Sequence, residues 1–263
     1  MAIDPSKPVV SVNAVSLELP ARYKHNGIET NASTLGGVLV RKGRNVERVR
    51  VLDNISFEVN QGTSIGVVGL NGSGKSTLLR VLAGIYAPTA GDMQIQGRIS
   101  TLFSNQLGMM PNATGAENIQ IMARLMGLQE RLKEGFVEDV AEFSGLGEYI
   151  NLPSRTYSAG MTTRIGFGVA TSAEPDVLLI DEVFGTGDQS FVDKARKRLG
   201  RLIERSGVVL MATHSPSLIR QYCTHAVWLE RGTLMMYDKL EAVLDEYRSH
   251  VAATKSLEKE AQA

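Results

Sequence analysis

The residues best suited to chemistry lie between Gly69 and His214. Gly69-Leu70-Asn71-Gly72-Ser73-Gly74-Lys75-Ser76 fits the pattern G-x-x-x-x-G-K-[ST]. It stands between a short β-branched run, Ser64–Val68, and a helix-forming stretch, Lys75–Ala83, which is the context the pattern requires. Glycines let the backbone curl until successive N–H groups aim at one centre, an anion site at a helix N-terminus. In such a loop Lys75 reaches the β- and γ-phosphates of a nucleotide and the Ser76 hydroxyl ligates Mg²⁺, and Thr77 closes the binding stretch. A second apolar run, Val177–Ile180, ends in Asp181 and Glu182. An acid at such a strand end holds Mg²⁺ in phosphate-loop enzymes, which assigns Asp181. Glu182 stands one residue further, placed to orient or deprotonate an attacking water.

Two weaker signals accompany them. Ser158-Ala159-Gly160-Met161 opens a helical stretch, and taken alone Ser158 could be a simple N-cap. His214 follows the apolar run Val208–Thr213, with Asp188 between it and the acid pair. A lone histidine is more often structural than catalytic. The order along the chain carries the weight: phosphate loop, S-x-G-M, acid pair, Asp188, His214.

The elements that must position these residues alternate between strand and helix. Val9–Leu19 reads as a strand ended by Pro20, and Leu52–Val59 as another, with a turn at Gln61-Gly62. Strands are expected at Met93–Gln96 and Ile99–Phe103. Thr114 and Glu117 form a capping-box pair before the apolar positions Ile119, Ile121, Met122, Leu125 and Met126, a clear helix start. A single helical stretch is expected over Gln129–Ser144, another after Met161, and a charged one over Val192–Arg205. This alternation implies an α/β architecture with a largely parallel sheet. Leu240–Ala263 reads as a polar helical tail that frays. From Tyr23 to Arg50 the pattern breaks down. There Thr34–Val40 is a short apolar patch, and Arg41–Arg50 holds five bases and one acid. That segment is either a solvated loop or a face for acidic lipid head groups or an acidic partner.

Composition narrows the function. The 263 residues carry 28 basic and 28 acidic side chains, a balance that argues against a nucleic-acid partner. Cys223 is the only cysteine, which rules out an intrachain disulfide framework and a thiolate zinc cluster. The N-terminus reads M-A-I-D-P-S-K-P, unlike a signal peptide, and no apolar run approaches the roughly 20 residues that span a bilayer. N-x-S/T sequons, those at Asn31, Asn71 and Asn112 among them, are read as chance in a cytosolic chain. Glycine is in excess, 26 of 263 against a usual 7% or so, and part of that excess falls in the phosphate loop.

The ordered motifs resemble the nucleotide-binding domain of ABC ATPases, over roughly Val9 to Asp238. The resemblance implies a phosphate-loop parallel sheet core with an antiparallel β subdomain and a helical subdomain. It assigns 1–239 to that domain, with the helical subdomain at about 107–172 and an insertion at 23–50, and 240–263 to a C-terminal helical tail without a carbohydrate-binding domain. It makes Ser158–Met161 the signature, Asp188 the D-loop and His214 the switch histidine. Tyr157-Ser158-Ala159-Gly160-Met161, Thr101-Leu102-Phe103, Leu107-Gly108-Met109 and Ala113-Thr114-Gly115-Ala116-Glu117-Asn118 look like the subfamily that exports lipid-linked polysaccharide: O-antigen, capsule and teichoic acid. Two departures stand out. The usual glutamine before the helical subdomain falls at Ser104, with Gln106 two residues later, and Tyr23 is the nearest candidate for an adenine-stacking aromatic.

By this resemblance the chain is an ATPase that binds ATP and Mg²⁺ and works as a C2 homodimer. Each ATP would lie between the phosphate loop of one copy and the signature of the other. A separate transmembrane permease, in two copies, would carry the glycan contacts at the cytoplasmic side of the inner membrane. The helix from Gly115, with Met122 and Met126, is either a docking surface for that permease or core filling. An exporter of another substrate and a soluble ABC ATPase without a transport role are the competing readings.

Overall fold

In a computed structural model of the chain, the described residues are 3–20, 22–25, 28–31, 38–42, 45–103, 108–133, 135–181, 189–213 and 215–260. A six-stranded sheet forms the centre. It comprises β6 (Ser64–Val68), β8 (Ile99–Phe103), β9 (Val177–Asp181), β10 (Val208–Ala212), β11 (His225–Glu230) and β12 (Thr233–Lys239), in the order β12-β11-β6-β10-β9-β8. All neighbours pair in parallel except β11 with β12. Every residue of β9 and β10 is buried, as expected for parallel strands covered on both faces. The two-residue pleat divides them cleanly. Val177, Leu179, Val208 and Leu210 pack with Leu78, Leu79 and Leu82 of α1 (Lys75–Leu82). Leu178, Ile180, Val209 and Met211 pack with Leu199 and Leu202 of α5 (Gln189–Arg205) and Ile219 of α6 (Pro216–Tyr222).

A second, antiparallel sheet has the order β4-β5-β1-β7, built from β1 (Val10–Pro20), β4 (Val38–Lys42), β5 (Asn45–Val59) and β7 (Ala90–Ile95). β2 (Arg22–His25) and β3 (Ile28–Asn31) form a separate antiparallel pair. The helical part comprises α2 (Gly115–Leu125), α3 (Phe136–Ser144) and α4 (Ala159–Ala170), with its own core of Ile119, Met122, Val140, Ile165 and Val169.

Three expectations are corrected, and one left open is decided. The segment 23–50 is not a solvated loop in its described residues: it holds most of β2, all of β3 and β4 and the first six residues of β5, and Glu18, Leu19 and Pro20 of β1 pair with Arg50, Val49 and Arg48. Two of the five bases in Arg41–Arg50 are already compensated. Arg50 donates to Glu18 at 2.9 Å and lies 3.5 Å from Asp53, and Arg48 lies 3.9 Å from Glu18. The Gln129–Ser144 stretch is split into a 3₁₀ turn at Gln129–Lys133 and α3, because Gly135 sits at φ +71° ahead of α3. Of the two readings left open for the helix from Gly115, core filling holds for Met122, which is fully buried, and Met126 is half-buried against the core, while the exposed apolar residue of that helix is Leu125. The C-terminal helix α7 (Leu240–Glu260) does not begin as a frayed tail: Leu240, Val243 and Leu244 are buried in the cluster that includes Trp228. Among the described residues no helix is long and apolar enough to cross a membrane.

Candidate nucleotide-binding site

The phosphate loop runs from the end of β6 into α1, where the backbone makes three turns that disfavour side chains: Gly69 at φ +148°, Gly72 at +78° and Gly74 at +105°. Space as well as conformation selects glycine at Gly69, since a Cβ there would lie 2.2 Å from the Leu229 carbonyl oxygen and 2.6 Å from Ser73 Oγ. Gly74 is the N-cap of α1 and carries no side chain to satisfy the helix end. The first-turn N–H groups of α1 therefore open toward the loop, carrying the positive end of the helix dipole. Ser73 is buried, and its hydroxyl has no hydrogen-bond partner among the described residues. Its backbone is anchored on both sides, donating to Leu70 O at 3.1 Å and accepting from Gly232 N at 2.9 Å.

Lys75 folds back across the loop, and its Nζ donates to Gly69 O at 2.9 Å and Leu70 O at 3.0 Å. An ammonium held by two loop carbonyls stands over the amides of the same loop, so one phosphate can meet both. Ser76 Oγ donates to Asp181 Oδ1 at 2.9 Å. Asp181 closes β9 and is 7% exposed, a buried carboxylate that needs compensation. Part of that compensation is Arg80, whose Nη2 lies 3.8 Å from Asp181 Oδ2. Ser76 and Arg80 are four residues apart on α1, hence on one face, and each addresses a different oxygen of the same carboxylate. The sequence reading missed Arg80, because a base in the last turn of a helix usually serves only the helix end.

The donor set fits Mg²⁺, which favours oxygen ligands, takes one or two from protein, and completes its shell with phosphates and water. One hydroxyl and one carboxylate in contact supply that. Among the described residues no group of three or more His, Cys, Asp or Glu stands together, so a protein cage for the ion is absent from that part of the chain.

Ser158 caps α4 and accepts from Met161 N at 3.2 Å. Ser158, Ala159 and Gly160 are exposed, and Met161 is half-buried. No hydrogen bond among the described residues joins Ser158 to the phosphate loop. The Ser158–Met161 turn is held by its neighbour Tyr157, whose Oη donates to Tyr149 O at 2.7 Å. A Cβ on Gly115 would lie 2.4 Å from that Oη. Burial pushes the Tyr157 phenol up, which keeps it a donor. The residues before Gly115 are tied in turn by Asn118, buried, which donates to Met110 O, Ala113 O and Thr114 O at 3.0–3.2 Å. Thr114 and Glu117 form the expected capping box. The Ala113–Asn118 segment thus builds the support on which the Ser158–Met161 turn stands.

Glu182, Asp188, His214, Ser104 and Gln106 lie outside the described residues, and of Tyr23 only its strand, β2, is described.

A parallel sheet with a phosphate loop, a buried acid bonded to its serine, and a separate helical unit beginning one helix at Ser-x-Gly define a phosphate-loop ATPase domain of the ATP-binding-cassette class. The family model described as ABC transporter matches residues 52–185. The chain is 45% identical over 199 residues to the O-antigen export system ATP-binding protein RfbE of Yersinia enterocolitica, covering 76% of this chain and 83% of that one. It is 34% identical over 249 residues to RfbB of the O-antigen export system of Klebsiella pneumoniae, covering 94% and 100%. The teichoic acids export ATP-binding protein TagH of Lactococcus lactis is 36% identical over 244 residues, and the chain spans about half of its length, 51%. Among solved structures, an ATP-binding subunit of an ABC transporter superposes with a TM-score of 0.68 at 20% identity, over 91% of this chain and 93% of that one, a likeness of fold. This chain belongs to the ABC transporter family of ATP-binding proteins.

Proposed function

We propose that the chain is the ATP-hydrolysing subunit of an exporter of lipid-linked polysaccharide, working as a homodimer bound to a separate transmembrane permease at the cytoplasmic side of the cell membrane. The observation that carries the ATPase part is the Ser76–Asp181 hydrogen bond at the mouth of the phosphate loop. Lys75 and the loop amides bind the phosphates; Ser76 and Asp181 would hold Mg²⁺, which would neutralise charge on the phosphates. Glu182 takes a proton from the attacking water, the water oxygen bonds to the γ-phosphorus, and ADP departs with the electron pair of the broken bond. His214 fixes the γ-phosphate.

The exposed signature supports the dimer. Ser158 and the Gly160 amide stand at a helix N-terminus facing solvent, with no bond to their own loop, so a second copy can present them to a bound γ-phosphate. Asp188 couples the two sites. The polysaccharide assignment rests on the relatives' names, O-antigen and teichoic acids export, and on the motifs shared with that subfamily. With no spanning helix among the described residues, glycan contacts fall mainly to the permease.

The test is co-purification of the tagged chain with a membrane subunit and measurement of ATP hydrolysis by the complex. Stimulation by a lipid-linked glycan, and not by unrelated lipids or drugs, is expected. Hydrolysis indifferent to any lipid-linked glycan would overturn the substrate class, and failure to associate with any membrane subunit would favour a role outside transport.

A further inference from the structure

Helix α5 is at odds with a neutral chain. It carries six bases, Lys194, Arg196, Lys197, Arg198, Arg201 and Arg205, against two acids, Asp193 and Glu204. Its buried side is fixed by Ala195, Leu199, Leu202 and Ile203. Most of the bases therefore gather on one flank, where they line a groove of about 460 Å³ between α5, α3 and the residues after α4. Volumes of this order suit a small ligand. Along that flank Lys194, Lys197, Arg201 and Arg205 follow one another at three- and four-residue spacing, where like charges destabilise a helix.

Neighbouring acids account for only part of this charge. Arg198 is committed to the fold: it pairs with Asp139 at 2.5 Å, donates to Ser172 Oγ at 2.7 Å and Thr171 Oγ1 at 3.0 Å, and lies over the Phe143 ring at 4.7 Å. Arg131 and Arg205 share one acid, Glu174. Lys194, Lys197 and Arg201 have no acidic partner among the described residues, and all three are exposed. Phe136, Phe143 and Leu202 line the groove together with Thr171, Ser172 and the acid Asp139 that Arg198 already engages. A concave, ligand-sized cleft ringed by uncompensated cations differs from a flat basic face, which would suit a bilayer.

We propose that this groove binds an oligophosphate, a small ligand bearing two or more phosphate groups, at Lys194, Lys197 and Arg201. The Arg201 guanidinium can grip phosphate oxygens bidentately, and the Lys194 and Lys197 ammonium groups add charge-assisted hydrogen bonds. Because Arg131 and α3 belong to the helical unit while α5 packs on the central sheet, a ligand here ties the two units together at a point remote in sequence from the phosphate loop. The site is independent of the transport reading and needs only the folded chain.

Hydrogen–deuterium exchange read by mass spectrometry tests it with inorganic tripolyphosphate as the probe. In the wild-type protein, peptides from 189–205 and 136–144 gain protection, separately from any protection over 69–77, where the phosphate loop also takes anions. The double variant Lys194→Gln/Arg201→Gln keeps the 69–77 response, and its half-saturating tripolyphosphate concentration over 189–205 rises about tenfold or more. Lys197→Gln alone serves if the double variant melts early, with a smaller rise in the same direction. Protection over 189–205 that is absent, or unchanged in both variants, overturns the proposal. Vesicles of phosphatidylglycerol form the second arm: protection by vesicles and not by tripolyphosphate would make this a membrane-facing surface and refute the groove.

Discussion

Ser76 and Asp181 are 105 positions apart in sequence and meet through a single 2.9 Å hydrogen bond, Ser76 Oγ donating to Asp181 Oδ1. The bond joins the first turn of α1 to the end of β9, and it places the two oxygen ligands expected of a magnesium nucleotide in contact. Removing the hydroxyl leaves Asp181 with Arg80 on its other oxygen, so the fold is expected to survive Ser76→Ala. ATP binding in the presence of Mg²⁺ is expected to weaken about tenfold, the loss of roughly one ligand interaction. Binding in EDTA changes little. Equal loss with and without the metal, measured by calorimetry, would remove Ser76 from the metal site.

Lys75→Ala is expected to abolish measurable ATP binding while leaving the thermal midpoint within a few degrees. The ammonium donates to the carbonyls of Gly69 and Leu70, and a partly exposed hydrogen bond of this kind contributes about 1 kcal/mol. Normal ATP affinity in the variant would refute the phosphate-loop assignment.

How much of this was legible in sequence follows from where each signal is local. β9 was readable because both of its faces are buried, which leaves an unbroken apolar run. The start of α2 was readable because its cap is closed by residues three apart, Thr114 and Glu117. The strands within 23–50 were not, since their pairing depends on distant partners such as Glu18 with Arg50 and on turns that obscure the alternation. Met122 and Leu125 show the limit of helical periodicity: both fit the apolar pattern, yet one is 1% and the other 74% exposed. Arg80 was invisible for the same reason, because its partner, Asp181, lies on another element.

Glu182→Gln is expected to lower ATP hydrolysis by about 10²–10⁴, the usual contribution of a general base, with ATP affinity retained. If two copies close over two nucleotides, the variant accumulates as an ATP-bound dimer, seen as a shift in size-exclusion light scattering that ADP does not produce. Hydrolysis within twofold of wild type would sink the assignment of Glu182 as the base.

Gly115→Ala probes the support of the signature. A methyl group there meets Tyr157 Oη at 2.4 Å and Ile150 Cδ1 at 2.8 Å, and crowding of this kind costs about 1–3 kcal/mol. Tyr157→Phe instead removes only the bond to Tyr149 O, for about 1 kcal/mol. In the double variant part of the crowding is relieved, because the atom nearest the new methyl is gone. The melting loss of the double variant is therefore expected to be smaller than the sum of the two single losses. Strict additivity would mean that Gly115 and Tyr157 do not share this contact.

Cys223 gives the fold a defined alkaline signature. Burial pushes its thiol from 9.0 up to about 12, so the folded chain holds the proton across the range in which the unfolded chain releases it. For an acid whose pKa is raised by folding, the stabilisation is complete below the unfolded value. It declines as pH climbs from 9 toward 12, by about 1.4 kcal/mol per unit. Cys223→Ala removes that slope whatever its effect on the midpoint at neutral pH, so denaturant unfolding of both proteins between pH 8 and 10 isolates it. The same burial predicts that iodoacetamide modifies Cys223 only at the rate of unfolding, since the thiolate is the nucleophile. Parallel slopes in the two proteins, or rapid labelling of the native chain, would show that the thiol is not shielded.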